Sequence, residues 1–512
     1  MSNGDADKFC RFWHEVSMMK FNSKWFPCDK GGAYRKWFGN QCNFVNWENN
    51  GEEIRNHPKS AVRNSSHFFK PHISWTLVGS GSPSFRYFGK GFILDTASNC
   101  LYFQANTKPL YLLGLLNTKV SKSILGLINP TINTSCGIVG KIPYIEVQNY
   151  ANIENAVSEN ISISKADWDA HETSWDFQKS PLIINAEEGK KEVNGYNPAL
   201  LEDSYEAWKS KWNKLFNDLL NNEIELNRQF IDIYGLQDEL TPDVPMKDIT
   251  ILQQGEISIE KIDRAGMGVE EKTVWHPDVV MKQLISYAIG VWMGRYRLDR
   301  PGLNIAHPNP SAEELAPYTY NGQEVEIDDD AIIPILPDDA PFDDNAAKRV
   351  KDFLRIVWGT EHISENINFM EAQMDSSIEA YMMDMKKGWW KDHLTMYSRR
   401  PIYWLFASKK GAFKAMAYMH RMTPATVKRI REDYLLRYIE YLNSTIAKLE
   451  AREGSPTTKE KAQLKKMRTD LAECQDYDDE IQRIADRAIT FDLDDGVVHN
   501  HALFGPILAK LK

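Results

Sequence analysis

A chain of 512 residues with a formal net charge of −10 is long enough for two to four domains, each with its own core. It has no uninterrupted apolar run of about 18 residues, which argues against a membrane-spanning helix, and its first residues, Met-Ser-Asn-Gly-Asp-Ala-Asp-Lys, lack the apolar centre of a secretory signal. Six cysteines (Cys10, Cys28, Cys42, Cys100, Cys136, Cys474) lie far apart with no C-x-x-C pair, which argues against zinc or a disulfide framework and fits a reducing cytoplasm.

From Trp25 to Phe103 the chain is aromatic, glycine-punctuated and basic. Trp25-Phe-Pro27, Phe44-Val-Asn-Trp47, Ile73 to Val78, Ser84 to Tyr87 and Gly91 to Asp95 are short β-branched and aromatic runs broken by Gly, Pro and Asn. They read as strands of a small curled sheet. Lysines and arginines fall at the strand ends and turns. Residues 1–145 hold 17 Lys and Arg against 8 Asp and Glu, a balance of +9, so residues 146–512 carry −19. A basic segment in an acidic chain points to a polyanion partner. Cations would neutralise phosphates while amides and planar side chains meet base edges. The same pattern also fits aromatics in a core and charges on a solvated rim.

Leu110 to Ile128 reads as one buried helix stopped by Asn129-Pro130, and Gly137 to Ile145 as a return strand. Helical spacing comes next at 153–169 and 205–234, with Gly235 as the C-terminal cap. Residues 248–274 read as strand-like or irregular. Pro277 to Tyr296 is an apolar helix in which Gly290 and Gly294 allow close approach. Residues 301–342 form an acidic, loop-rich stretch. Its Asp328-Asp-Asp330 run could take a divalent ion but lacks the glycine-centred calcium-loop spacing, so no metal site is expected. Helices resume from 346 to 385, and Ser398 to Phe406 is a basic turn feeding a buried strand. Residues 424–450 and 457–489 form two charge-laced helices joined by Gly454-Ser-Pro456, read as an antiparallel hairpin whose helices spend their apolar seams on each other and which reaches outward as a spacer or docking arm.

The chain contains no phosphate-cradling G-x-x-x-x-G-K-[ST], no G-x-G-x-x-G between strand and helix, no G-x-S-x-G and no H-E-x-x-H. It also lacks the Asn-Pro-Pro-Tyr loop with which an amino-methyltransferase holds a flipped base. By its own residues it is not a complete enzyme.

Several runs resemble the BREX phage-defence adenine-specific DNA methyltransferases of the PglX type, relatives of the type IIG restriction–modification enzymes. They include Gly31-Gly-Ala-Tyr-Arg-Lys-Trp-Phe-Gly-Asn40, Arg86-Tyr-Phe-Gly-Lys-Gly-Phe-Ile-Leu-Asp95, Leu112-Leu-Gly-Leu-Leu-Asn-Thr-Lys-Val120, Ile233-Tyr-Gly-Leu-Gln-Asp-Glu-Leu-Thr-Pro242 and Arg400-Pro-Ile-Tyr-Trp-Leu-Phe406. The likeness runs from Asp5 to Lys512. In that family a methylase domain with the S-adenosylmethionine site precedes the region where this chain begins, so the resemblance implies a specificity half without catalytic residues or cofactor of its own. The partners implied are double-stranded DNA, a methylase domain or subunit carrying the Asn-Pro-Pro-Tyr loop, and other BREX proteins.

The expected fold class is α+β: a small curled β-sheet target-recognition domain with packed helices, then a mainly helical C-terminal region with the long antiparallel hairpin. The expected division is 1–150 for recognition, 151–245 as a helical spacer, 246–423 as a mainly helical domain, 424–490 as the hairpin and 491–512 as a tail. The candidate DNA-contacting residues are Arg35, Lys36, Asn40, Arg63, Asn64, Arg86 and Lys90. Two rival readings stand beside this one: a non-catalytic protein that binds BREX components or competes with the full-length methyltransferase, and a stand-alone enzyme with an unrecognised site.

Overall fold

The computed structural model describes residues 8–79, 81–129, 131–189, 199–264, 268–451 and 457–511. The expected stop at Pro130 and the expected turn at Gly454-Ser-Pro456 lie outside the described residues. The chain is α+β and divides into two compact units, one of Met1–Trp13, Lys20–Phe177 and Glu206–His276, the other of His14–Met19, Gln178–Tyr205 and Pro277–Lys512.

In the first unit the expected single sheet is realised as two. Its strands are β1 (Cys10–Phe12), β2 (Trp25–Asp29), β3 (Asn43–Asn46), β4 (His72–Thr76), β5 (Arg86–Phe88), β6 (Ile93–Leu94) and β7 (Ser98–Tyr102). One sheet runs β1-β3-β2-β6 and the other β5-β4-β7. All pairings are antiparallel except β2 with β6. The central strand β4 buries Ile73 and Trp75 completely, as a β-branched and aromatic alternation predicts. Phe9, Val45, Trp47, Ile54, Phe68 and Ile93 belong to one apolar cluster. A long antiparallel hairpin of β8 (Ile257–Arg264) and β9 (Gly268–Trp275) fills the stretch read as strand-like or irregular.

Two sequence expectations for this unit are corrected. Leu110 to Ile128 is two helices, Pro109–Leu116 and Lys119–Ile128. Asn117 divides them: its carboxamide accepts from Phe85 N at 3.0 Å and donates to Phe85 O at 2.9 Å, and Thr118 takes the extended conformation of an N-cap. Gly137 to Ile145 is no strand. Cys136–Val139 makes one helical turn, and tyrosine hydroxyls hold the residues after it, Tyr111 donating to Ile145 O at 2.7 Å and Tyr234 to Pro143 O. Pro143 has no N–H to give a ladder.

The second unit opens its strand set with the small hairpin β10 (Tyr318–Tyr320) and β11 (Gln323–Val325). Its core is a sheet of β12 (Ile332–Pro334), β13 (Tyr403–Ala407) and β14 (Lys414–Tyr418) in the order β12-β14-β13. Every residue of β13 and β14 is buried. The helix Pro277–Trp292 is buried along most of its length, and at Gly290 an added Cβ would stand 2.7 Å from the Tyr296 ring. The polar interior is unusual. Arg295, fully buried, donates to the Tyr296 and Tyr418 hydroxyls at 3.1 and 3.0 Å, and His14, His393 and His420 are buried in the same unit.

The hairpin exists as expected, with residues 426–450 continuous through a π-helical turn at Ile430–Leu435 and a return helix Thr458–Ala485. Ion pairs Arg431–Asp478 and Arg468–Glu450 fix the antiparallel register. The expectation that the seams serve only each other is corrected. Tyr438 and Tyr477 both pack against Phe413, with ring centroids 6.4 and 6.0 Å away. Tyr477 also donates to Ile507 O at 2.7 Å, and Tyr434 to Asp344 at 3.0 Å. The arm is therefore seated along one side rather than free.

Candidate nucleic-acid interface

The seven sequence candidates separate into two groups. Arg35, Lys36, Asn40 and Arg86 are buried, at 3, 4, 7 and 0% exposure. Arg35 Nη1 bonds Asp167 Oδ2 at 2.8 Å, and its guanidinium lies over the Trp168 ring at 5.0 Å. Lys36 Nζ bonds Glu223, whose second oxygen accepts from Trp37 Nε1 at 2.8 Å. Arg86 donates to Arg35 O at 3.1 Å. Burial pushes its guanidinium down to about 10 while the Asp29 carboxylate supports the charge. Asn40 Nδ2 donates to Ala33 O at 2.9 Å. None of these four side chains reaches a surface a duplex could touch; Arg35 and Lys36 tie their segment to the helices Ala151–Asp169 and Leu201–Tyr234, while Arg86 and Asn40 brace the backbone at Arg35 and Ala33. A lone charge in this interior would cost several kcal/mol, which is why each cation there has an acid or carbonyl beside it.

Arg63, Asn64 and Lys90 are exposed. Arg63 and Asn64 sit at the tip of the loop between Asn56 and His72. That tip is shaped on both sides: Val62 packs partly and Phe68 fully into the apolar cluster, and Phe68 meets the Trp47 ring edge-on at 5.3 Å. Asn64 takes a left-handed φ of 54° and its carbonyl accepts from His67 N at 2.9 Å, a conformation asparagine tolerates better than most residues. Farther along, Phe69 N donates to Phe92 O at 2.8 Å and Gly91 N to Phe69 O at 3.2 Å. This backbone pair clamps the loop to the turn leading into β6. It brings Lys70, next to Phe69, beside Lys90, next to Gly91, and both lysines are exposed.

Sequence reasoning counted Lys59 and Lys70 among the cations but did not single them out. A signal for them was available. From Ile54 to Leu94 the chain carries six Lys and Arg and no Asp or Glu. Of the six, only Arg86 is buried. Arg55 spreads over the Trp47 ring at 5.3 Å and donates to Asn50 O. The exposed loop pair therefore presents Lys59, Arg63, Lys70 and Lys90 with His67 and Phe69 between them, a cationic surface with amide and aromatic groups.

The other glycine-broken loops, at 32–34 and at Gly79 and 81–84, line a cleft of about 380 Å³. Its one lysine, Lys122, faces Asp248 at 3.8 Å, so it offers no excess charge to a phosphate. One oxygen from each of the Asp328, Asp329 and Asp330 carboxylates lies within 4.8 Å of the others, and among the described residues these three could hold a cation. Two of them are bound up in the fold, Arg349 pairing with Asp328 at 3.1 Å and Tyr434 donating to Asp330 at 3.2 Å, while Asp329 gives Arg421 its backbone carbonyl at 2.9 Å. Burial, then the neighbouring Asp328, pushes the Asp330 carboxyl up to about 8.

No protein-family model matches the chain. Curated relatives do. It is 36% identical to the adenine-specific methyltransferase BrxX of Escherichia coli O9:H4 (strain HS) over 538 aligned positions, all of this chain and 42% of that protein. It is 35% identical to the adenine-specific methyltransferase PglX of Lacticaseibacillus casei (strain Zhang) over 535 positions, 98% of this chain and 41% of that protein. The chain thus spans about two fifths of the length of the curated relatives it matches. No helix among the described residues is long and apolar enough to cross a membrane. By its sequence, from end to end, the chain belongs with the BREX adenine-specific methyltransferases.

Proposed function

We propose that this chain is the DNA-reading portion of a BREX-type adenine-specific methyltransferase, its surface in the first unit choosing where a methyl group is placed. The observation that carries the reading is the clamped, acid-free loop pair with Lys59, Arg63, Lys70 and Lys90 exposed. Phosphate contacts position a protein on a duplex, and side-chain amides and guanidinium groups read base edges in the groove. Arg63 and Asn64 are the residues of those types at the tip, and the lysines serve the backbone. Arg35, Lys36, Asn40 and Arg86 act indirectly, by holding the strands that carry the loops. S-adenosylmethionine and the flipped adenine belong to a methylase domain or subunit bearing the Asn-Pro-Pro-Tyr loop, since extrusion of a base needs a pocket that stacks and hydrogen-bonds it.

The test is duplex binding by the intact chain, read by anisotropy against a randomised library and over a salt series. The expected result is enrichment of one asymmetric site with a steep loss of affinity as salt rises. Enrichment of no sequence, or no binding at low salt, overturns the reading and favours a protein that engages other BREX components without touching DNA. Calorimetric titration of the chain with S-adenosylmethionine is expected to show no one-site isotherm.

A further inference from the structure

The second unit carries an open groove of about 1040 Å³ between the return helix Thr458–Ala485 and the turn joining β13 to β14. Five cations line it: Lys409 and Lys410 from the turn, Lys461, Lys465 and Arg468 from the helix. All five are exposed. None of the four lysine ammonium groups makes an ion pair with a described residue, whereas Arg468 shares its guanidinium with Glu450. The helix cations follow an i, i+4, i+7 spacing, so they share one face and span ~10 Å at ~1.5 Å rise per residue. A nucleic-acid strand presents one phosphate per ~3.4 Å of axis, so that span meets roughly three phosphates.

The turn is held in place for this arrangement. Glu473 Oε1 accepts from Ser408 Oγ at 2.6 Å, from Lys410 N at 2.6 Å and from Ala412 N at 3.3 Å. Burial works against its charge, but those hydrogen bonds keep the carboxyl below its usual range. The one acid in the midst of the cations is thus spent on the backbone of the turn and sets Lys409 and Lys410 against the helix. The remaining acids of the lining, Asp476 and Glu480, lie two to three turns beyond Arg468 along the same helix. The groove is polar in a graded way, cationic at one end and acidic at the other.

We infer that the cationic end of this groove is a second, sequence-independent binding site for the phosphate backbone of duplex DNA, separate from the loop pair of the first unit. The inference rests on the DNA-reading proposal above and extends it. Its cations are chiefly lysines, point charges that attract phosphate but lack the planar fork that recognises a base. Its expected contribution is therefore affinity and salt dependence without sequence choice.

The experiment uses the full chain with Lys409→Ala, Lys461→Ala and Lys465→Ala combined, assayed on the selected duplex and on a scrambled one between about 50 and 200 mM salt. All three side chains are exposed, so the fold should tolerate the change, and unchanged urea unfolding checks this. The expected result is a roughly equal loss of affinity on both duplexes, about tenfold or more, with the salt slope shallower by about 2 to 3. An unchanged slope and affinity, with sequence preference intact, overturns the groove and leaves the reading in the first unit standing. Loss of sequence preference without a change in slope also overturns the groove. An intact chain that binds neither duplex removes both proposals together.

Discussion

Two sets of cations from one basic stretch end in opposite surroundings. Arg35, Lys36 and Arg86 lie at no more than 4% exposure among Asp167, Glu223 and Asp29, while Arg63, Lys70 and Lys90 stand in solvent on a clamped loop pair. Aromatic neighbours in sequence do not distinguish them, since Lys70 follows Phe69 and Lys90 lies two residues from Phe88 and Phe92, just as Arg86 lies between Phe85 and Tyr87. The difference is where the counter-charge comes from. The acids that meet Arg35 and Lys36 stand 132 and 187 residues away on two helices of the same unit, while no acid lies anywhere between Ile54 and Leu94 to meet the loop set. A net local charge of +9 therefore overstates what a polyanion can reach.

The contrast breaks most visibly in stability. Lys36→Met leaves the Glu223 carboxylate buried with Trp37 as its remaining donor, and urea unfolding should show a loss of about 3 to 5 kcal/mol. Adding Glu223→Gln should recover much of it, because the unpaired buried charge is gone while the amide oxygen can still accept from Trp37 Nε1. A single-variant loss below ~1 kcal/mol would mean the pair is solvated and the division between the two sets is wrong.

The second unit buries its ionisable groups differently, and pH should separate the two styles. Burial, with Arg295 nearby, pushes His393 and His420 each down to about 3 and His14 well below the usual histidine range. Unfolded, each takes a proton below about 6.5. The unfolded state therefore binds more protons between roughly pH 3 and 6.5, and stability falls as pH drops through that window. The loss should approach about 1.4 kcal/mol per pH unit for each histidine. His171 opposes this trend: burial works against its charge, but Glu256 holds its pKa above the usual value, so the folded form keeps that proton. Urea unfolding at pH 7, 6 and 5 measures the slope, and His393→Gln should make it shallower. A flat profile down to about pH 4 would show that these histidines are not kept neutral by the fold.

Charge reversal on the exposed set gives a smaller effect of another kind. Arg63→Glu with Lys70→Glu and Lys90→Glu should change unfolding free energy by no more than about 0.5 kcal/mol. Duplex affinity at low salt should fall at least about tenfold, with a salt slope shallower by up to about 3. Unchanged binding would remove the loop pair from the interface. Asn64→Ala alone is expected to give the smallest change, up to about 1 to 3 kcal/mol of discrimination between preferred and altered sites and little change in salt slope. Equal weakening on every site would make Asn64 a backbone contact instead.

Much of this protein was legible in its residues alone. Short β-branched and aromatic runs between Gly, Pro and Asn located most strands of the first unit, because a pleated, half-buried surface selects those side chains. The 3.6-residue spacing located Ala151–Asp169, Leu201–Tyr234, Pro277–Trp292 and both hairpin helices, and Gly235 with its φ of +66° closes the second of them as read. The family was legible too, since many co-linear motifs carry more information than any one of them. What local pattern could not give was partnership across distance. Asn117 splits a helix because its carboxamide finds Phe85, the hairpin tyrosines seat on Phe413, and Lys36 goes inward because Glu223 waits 187 residues later. Burying a charge costs several kcal/mol unless its counter-charge arrives with good geometry. Only the tertiary fold brings that counter-charge in, and so only the fold decides which cations are held inside and which remain exposed to solvent.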